Sequence, residues 1–322
     1  MVEKMGGLMT MSSIEKIIDD TECETEELEE IVSILTGISE NVCPSVSVCD
    51  KGSYLLFGES IKSAENTIRS IDFCCQRGYF ADAFTLARKY RDDVIQYIFI
   101  AQVINNMLNV SEEDVKKYCG ESLSVEGLIQ LVENKLKILR EGTNKTDTEI
   151  AVELWRYGIL ENKEYYKERK KFFDTSKYIS ILKEDVRVKN LMEKYLQGIW
   201  DGTNRILNNY VHGNGYRYLV DNYAVQRYKE NKEKLIETVR NITSILISIF
   251  SIVQPNIFQS IDYRGAMECG YTPEEGCEYW VMKIIVEYMD KFFPKIHPEL
   301  LQFLEDNNGY GMKMLKKHYI EK

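Results

Sequence analysis

Apolar side chains recur every three or four positions along most of this chain, the spacing of one face of an α-helix. After a Met- and Gly-rich start expected to be disordered, Leu28, Ile31, Leu35 and Ile38 mark one or two helices over 13–39. The pattern lapses between 40 and 57, where Pro44, Gly52 and several β-branched residues predict a loop or a short hairpin. A new stripe then runs through Ile61, Ala64, Ile68, Ile71 and Cys75 and ends at Arg77-Gly78. A second long helix, about 79–107, turns Phe80, Ala83, Phe84, Ala87, Val94 and Ile98 inward. The short break between the two makes them an antiparallel αα-hairpin.

Further along, 124–141 reads as an amphipathic helix, Gly142 to Asp147 as a polar break, and 148–183 as shorter helices rich in Lys and aromatics. The next long helix is predicted over 185–212, with Val188, Leu191, Tyr195, Ile199, Ile206 and Tyr210 facing in. Gly213 and Gly215 stop it. Helices over 217–253, 274–292 and 298–318 complete an all-α fold, with a loop-rich section punctuated by Pro255, Gly265, Gly270 and Pro273. The expected organisation is an acidic, partly disordered arm with a short helical segment at 1–57, a helical bundle at 58–255 and a helical extension packed on it at 256–322.

Composition changes this picture in three ways. The 322 residues carry a formal net charge of -10, so nucleic acid can be met only through a local basic patch. Acidic residues crowd 15–30, either as a solvated face or mobile arm, or as an arm that covers a basic site. Eight cysteines are scattered without a CxxC pair and there are three histidines, which argues against a structural zinc; no metal or cofactor is expected. The most apolar stretch, Ile242 to Val253, is too short to span a bilayer and carries Thr243, Ser244, Ser248 and Ser251, so it reads as a core helix and no membrane role is expected. Free thiols and a start without a sustained apolar run point to the cytoplasm.

The informative segment is Asn204-Arg-Ile-Leu-Asn-Asn-Tyr-Val-His-Gly213. Arg205 and His212 stand seven positions apart, two helical turns, and so share a face, with Asn208 and Asn209 on the same arc. One surface thus gathers a fixed cation, a titratable imidazole and two amides. Histidine moves a proton near neutral pH. Arginine grips a phosphate bidentately and offsets the charge that builds on it. The amides fix the imidazole tautomer or bind phosphate oxygens. Such a set suits metal-free cleavage of RNA, whose 2′-hydroxyl is the attacking group. Two plainer readings stand beside it: phosphate binding without chemistry, and a purely structural role in which His212 answers the helix dipole and Arg205 pairs with a carboxylate.

The Arg-x6-His spacing resembles the Arg-x(4–6)-His signature of the HEPN superfamily. The segment Phe80-Ala-Asp-Ala-Phe-Thr-Leu-Ala-Arg-Lys-Tyr-Arg-Asp-Asp93 is similar to the opening helices of such proteins. The resemblance spans 60–105 and 185–250 loosely. Ile206 stands where the family usually carries a polar residue after its Arg. What the resemblance implies is an elaborated HEPN-like bundle that dimerises and brings two Arg/His pairs into one cleft. It further implies a ribonuclease of a toxin–antitoxin or phage-defence (abortive infection) system, restrained by an antitoxin or regulatory protein. Other members bind RNA, nucleotide or protein without cutting, which is the alternative for this chain.

Two more sets are candidates. Arg91 lies on the apolar line of its helix and needs a partner, for which Asp92, Asp93 or a residue of the 185–212 helix is available; Arg91 and Asp92 either orient Arg205 or His212 or form an ion pair at the core's edge. Lys167, Arg169, Lys170 and Lys171, interleaved with aromatics, either track phosphates while stacking bases or form a solvated face. Tyr216, just past the turn, is placed at the mouth of the site.

Overall fold

A computed structural model describes residues 25–41, 45–49, 52–56, 58–108, 112–119, 127, 130, 131, 134, 146–157, 175–213, 215–222, 227–260 and 281–308, and most helix signals there correspond to helices; the helix expected over 217–253 is broken by a turn at 221–222, and 281–282 of the one expected over 274–292 are not helical. The helices are α1 (Glu26–Asn41), α2 (Gly58–Gln76), α3 (Phe80–Leu108), α4 (Glu112–Cys119), α5 (Asp147–Tyr157), α6 (Thr175–Leu182), α7 (Val186–Leu191), α8 (Gln197–Val211), α9 (Tyr216–Val220), α10 (Tyr228–Val253), α11 (Lys283–Ile296) and α12 (Leu300–Asn308). The break at 40–57 holds an antiparallel hairpin, β1 (Ser45–Cys49) and β2 (Gly52–Leu56), in which Cys49 faces Gly52. Among the described residues the fold is all-α apart from this hairpin. Positions 127, 130, 131 and 134 of the helix expected over 124–141 are helical; the rest of it lies outside the described residues.

Gly78 closes α2 as its sequence suggested. With φ 73° it turns the chain so that the Tyr79 amide reaches the Cys74 carbonyl at 2.9 Å. Thr146 and Glu149 form a reciprocal capping box on α5, with the Thr146 amide donating to Glu149 Oε2 at 2.6 Å and the Glu149 amide to Thr146 Oγ1 at 3.3 Å.

The centre of the bundle is α10, which packs against α1, α3, α7, α8, α11 and α12. From Ile242 to Ile252 every residue is buried. This helix is long and apolar enough to cross a membrane, yet 72% of its most apolar window is covered by the rest of the protein. Its hydroxyls are satisfied internally: Thr243 donates to Val239 O at 3.0 Å, Ser248 to Ser244 O at 2.7 Å and Ser251 to Ile247 O at 2.8 Å. Tyr90 and Tyr288 reach Thr243 and Ser244 from α3 and α11.

One core runs from α1 to α12. Leu28, Ile31, Leu35 and Ile38 are buried in it, so α1 packs into the bundle. Its acidic side chains meet bases of the same core: Glu27 accepts from Arg240 at 2.8 Å and Glu30 from Lys291 at 2.7 Å. The helices expected over 256–322 also share this core, through Ile285, Tyr288, Phe292, Leu300 and Leu304.

Glu65 on α2 is buried and accepts from Lys62 Nζ at 2.7 Å and Arg69 Nη2 at 2.9 Å. Burial alone would raise its pKa, but these two cations hold the carboxyl below its ordinary 4.5. A carboxylate depressed in the folded state contributes stability above that ordinary value, and the contribution is lost as pH falls through the lower folded value. Urea unfolding between pH 6 and pH 3 is expected to show wild type losing its advantage over Glu65→Gln as the solution acidifies.

The helix predicted over 185–212 is interrupted by a π turn at Met192–Leu196, between α7 and α8. A π turn takes an extra residue, so the buried stripe moves one position along the chain. Met192, Leu196, Trp200, Thr203 and Leu207 line the core, while Tyr195, Ile199 and Ile206, expected inside, are half-buried at its margin. Asp185 caps α7 by accepting from the Arg187 amide at 2.8 Å and its guanidinium at 2.6 Å. We expect Asp185→Ala to destabilise the protein by about 1 kcal/mol in thermal unfolding, the usual cost of an N-cap.

Candidate basic and amide seam between α3 and α8

Helices α3 and α8 run antiparallel, fixed by apolar contacts below and polar contacts above. Phe84 of α3 stacks on Tyr210 of α8, with centroids 4.0 Å apart and planes 12° from parallel. Lys234 of α10 lies over both rings. Above this stack, Arg88 Nη1 stands 3.4 Å from His212 Nε2. A guanidinium has only donors, so in a hydrogen bond between the two Nε2 is the acceptor.

Farther along the seam, Arg91 is 6% exposed and its guanidinium is engaged on three sides. Nε and Nη2 donate to Asp92 Oδ1 at 2.9 and 2.6 Å, and Nη1 donates to Asn204 Oδ1. The Trp200 ring centroid lies 5.8 Å from its Cζ. Asp92 also accepts from Thr175 Oγ1 of α6 at 2.8 Å and lies 3.7 Å from Arg88 Nε.

His212 is the C-cap of α8, its amide donating to Asn208 O at 3.1 Å, and Gly213 turns away with φ 55°. Arg205, Asn208 and His212 are exposed. Among the described residues, no hydrogen bond or ion pair engages Arg205. Asn209 donates from Nδ2 to Tyr218 Oη at 3.1 Å and is half-buried. Tyr216, which opens α9, is 79% exposed. Lys167, Arg169, Lys170 and Lys171 lie outside the described residues.

The chain beyond the site is latched onto it. Buried Asp221 accepts from Tyr210 Oη at 2.7 Å and pairs with Arg227. Asn222 Oδ1 accepts the Ala81 amide at 2.7 Å, and its Nδ2 donates to Asp82 at 3.0 Å. The N-terminus of α3 and the C-terminus of α8 are therefore held in one register.

No family model, curated protein or solved structure matches this chain. The seam is therefore read from its own chemistry. Three guanidinia, of Arg88, Arg91 and Arg205, share the seam with two carboxylates, Asp92 beside Arg88 and Arg91 and exposed Asp201 one turn before Arg205 on α8. Asn208 and Arg205 offer further donors on the same exposed arc.

The arrangement differs from the sequence reading at specific points. Arg91 does reach the 185–212 helix, but at Asn204, while Asp92 meets Arg91, Arg88 and Thr175; among the described residues neither pairs with Arg205 or His212. The residue that reaches His212 is Arg88. Sequence reasoning gave no role to Arg88 or Asn204. The signal for Asn204 was available, since 204, 208 and 212 stand at i, i+4 and i+8 on one line. Nothing local singles out Arg88 among neighbouring basic residues; its role arises from a contact across 124 positions.

Proposed function

We propose that this chain is a metal-independent endoribonuclease of HEPN type. The observation that carries the reading is the Arg88 contact to His212 Nε2, on the same exposed arc as Arg205, which has no partner among the described residues. The contact sets a cation that attracts phosphate beside the imidazole of His212. In the reaction, His212 takes the proton of an RNA 2′-hydroxyl. The 2′-oxygen attacks the adjacent phosphorus, the bond to the 5′-oxygen breaks, and a protonated group returns a proton to that leaving oxygen. Arg205 and Arg88 hold the non-bridging oxygens as charge builds on them. The products are a 2′,3′-cyclic phosphate and a 5′-hydroxyl end.

The one histidine placed in the seam supplies either the base or the acid, so a homodimer completes the set. A toxic nuclease needs restraint, which fits a cytoplasmic toxin or phage-defence effector held by an antitoxin or regulatory protein. The test is incubation of purified protein with diverse RNAs in chelator, with end-group analysis of any fragments. Intact RNA throughout, together with host growth that does not distinguish wild type from His212→Ala, overturns this reading.

A second reading has its own support. Arg88 occupies the ring nitrogen that a base must use, and His212 caps its helix. These fit a binding module in which the seam holds RNA or nucleotide without cutting it. Tight RNA binding with no cleavage is the result that favours it.

A further inference from the structure

Asn204 is the side chain of the seam whose orientation is dictated by chemistry alone. Arg91 has no acceptor, so the atom that Asn204 turns toward it is Oδ1. The Nδ2 group is the other arm of the same planar amide, and among the described residues it has no partner. Arg91 itself cannot swing aside: it is buried, holds Asp92 through two nitrogens and lies near the Trp200 ring, while Asp92 is fixed in turn by Thr175. The amide is thus a donor held in one sense by Arg91, its N–H groups without a partner among the described residues.

Asn204 lies next to Arg205 in sequence and two helical turns from His212. On α8 the angular order at 100° per residue is Asn204, Asn208, His212, Arg205, an arc of about 100°. The two α3 guanidinia splay along this arc, Arg91 to the Asn204 end and Arg88 to the His212 end. The ends are separated by about 12 Å of helix rise. An extended strand meets both ends; a compact anion meets one.

From this we infer that Asn204 is a phosphate-contacting residue of the seam, donating from Nδ2 to the backbone of a single nucleic-acid strand, and that Arg91, with Asp92 and Thr175 behind it, is the positioning residue that holds the amide in that sense. The inference rests on reading the α3–α8 seam as the phosphodiester site. It is independent of whether that site cuts. Donation to a charged oxygen is among the stronger hydrogen bonds, so its loss should weaken binding about ten- to a hundred-fold.

The probe is a 2′-deoxy tetranucleotide, which has the phosphodiesters but lacks the 2′-hydroxyl needed for cleavage. Binding is measured by calorimetry for wild type, Asn204→Asp and Asn204→Leu, with the side-chain amide of Asn204 followed by nuclear magnetic resonance. Asn204→Asp keeps an oxygen for Arg91 and so keeps the fold, but replaces the donor by a negative acceptor. Asn204→Leu removes the donor without adding charge. Weakened binding in both variants at wild-type melting temperature, with the wild-type Asn204 amide signal moving on titration, is expected. Wild-type affinity in either variant, or an amide signal that stays still while the tetranucleotide binds, overturns the inference. If Asn204→Leu does not fold, the other two readouts decide. Inorganic phosphate that competes at equal affinity overturns the assignment to a strand. Loss of binding in these variants without any RNA cleavage by wild type would keep this inference and remove the ribonuclease reading; cleavage undisturbed by Asn204→Asp would do the reverse.

Discussion

Replacing His212 by Ala is expected to lower RNA cleavage by about 10²- to 10⁴-fold, the contribution of a positioned proton-transfer group. The melting temperature should change little, because the side chain is exposed and its capping contact is made by the backbone amide. Arg205→Ala should cost about 10²- to 10³-fold, as loss of a group that meets charge developing on phosphorus. Arg205→Lys should recover only part of this, since a point charge does not reproduce the bidentate fork. The measurement is initial cleavage rate on one RNA at enzyme below saturation, with binding to the uncleavable tetranucleotide in parallel. A loss in rate that exceeds the loss in binding assigns the residue to the reaction. Equal losses assign it to binding, which supports the non-catalytic reading. Variants that cleave like wild type sink the assignment of these two residues outright.

Arg227→Ala is expected to be the most destabilising single change at a polar position near the site. Asp221 is 1% exposed, and its carboxylate is compensated by Arg227 and by the Tyr210 hydroxyl. Removing the guanidinium leaves a buried charge with one neutral donor. Breaking a buried pair in this way costs about 3–5 kcal/mol. Tyr210→Phe keeps the ion pair and should cost about 1–2 kcal/mol. Denaturant unfolding of the two variants checks the order. Arg227→Ala with wild-type stability would show that Asp221 is solvated or re-paired. The effect should also reach the site, because Tyr210 is stacked on Phe84 in the seam floor. Arg227→Ala is therefore expected to weaken tetranucleotide binding although it contributes no group to the arc.

Much of the bundle was legible. The stripe Ile61 to Cys75, the Gly78 stop and the inward face of α3 were read from three-to-four spacing, and Ile61, Ala64, Ile68, Ile71, Phe80, Ala83, Phe84, Ala87, Val94 and Ile98 are all buried. The π turn was not legible. Tyr195 and Leu196 are both apolar enough to face a core, and an inserted residue leaves no mark in spacing when neighbouring positions are equivalent. The acidity of α1 left two alternatives, a solvated helix face or a mobile arm. Glu26 and Glu29 lie on the exposed face of a helix whose other face, Leu28, Ile31, Leu35 and Ile38, is buried.

For the site, the sequence by itself determined the arc on α8. Arg205, Asn208 and His212 share a face because 3.6 residues make a turn, and Gly213 ends the helix there whatever else the chain does. It also placed Arg91 where a buried partner was required, because an arginine on an apolar line has no other way to be accommodated. Only the tertiary structure decided what each of these groups does. Arg88 meets His212 and Arg91 turns Asn204 through contacts spanning 124 and 113 positions. Such partners depend on how α3 and α8 register over Phe84 and Tyr210, on the extra residue at Met192–Leu196 that sets the rotation of α8, and on the Asp221 latch. Periodicity is a local property of a chain. The choice of which polar groups face each other across a seam belongs to the packing beneath them.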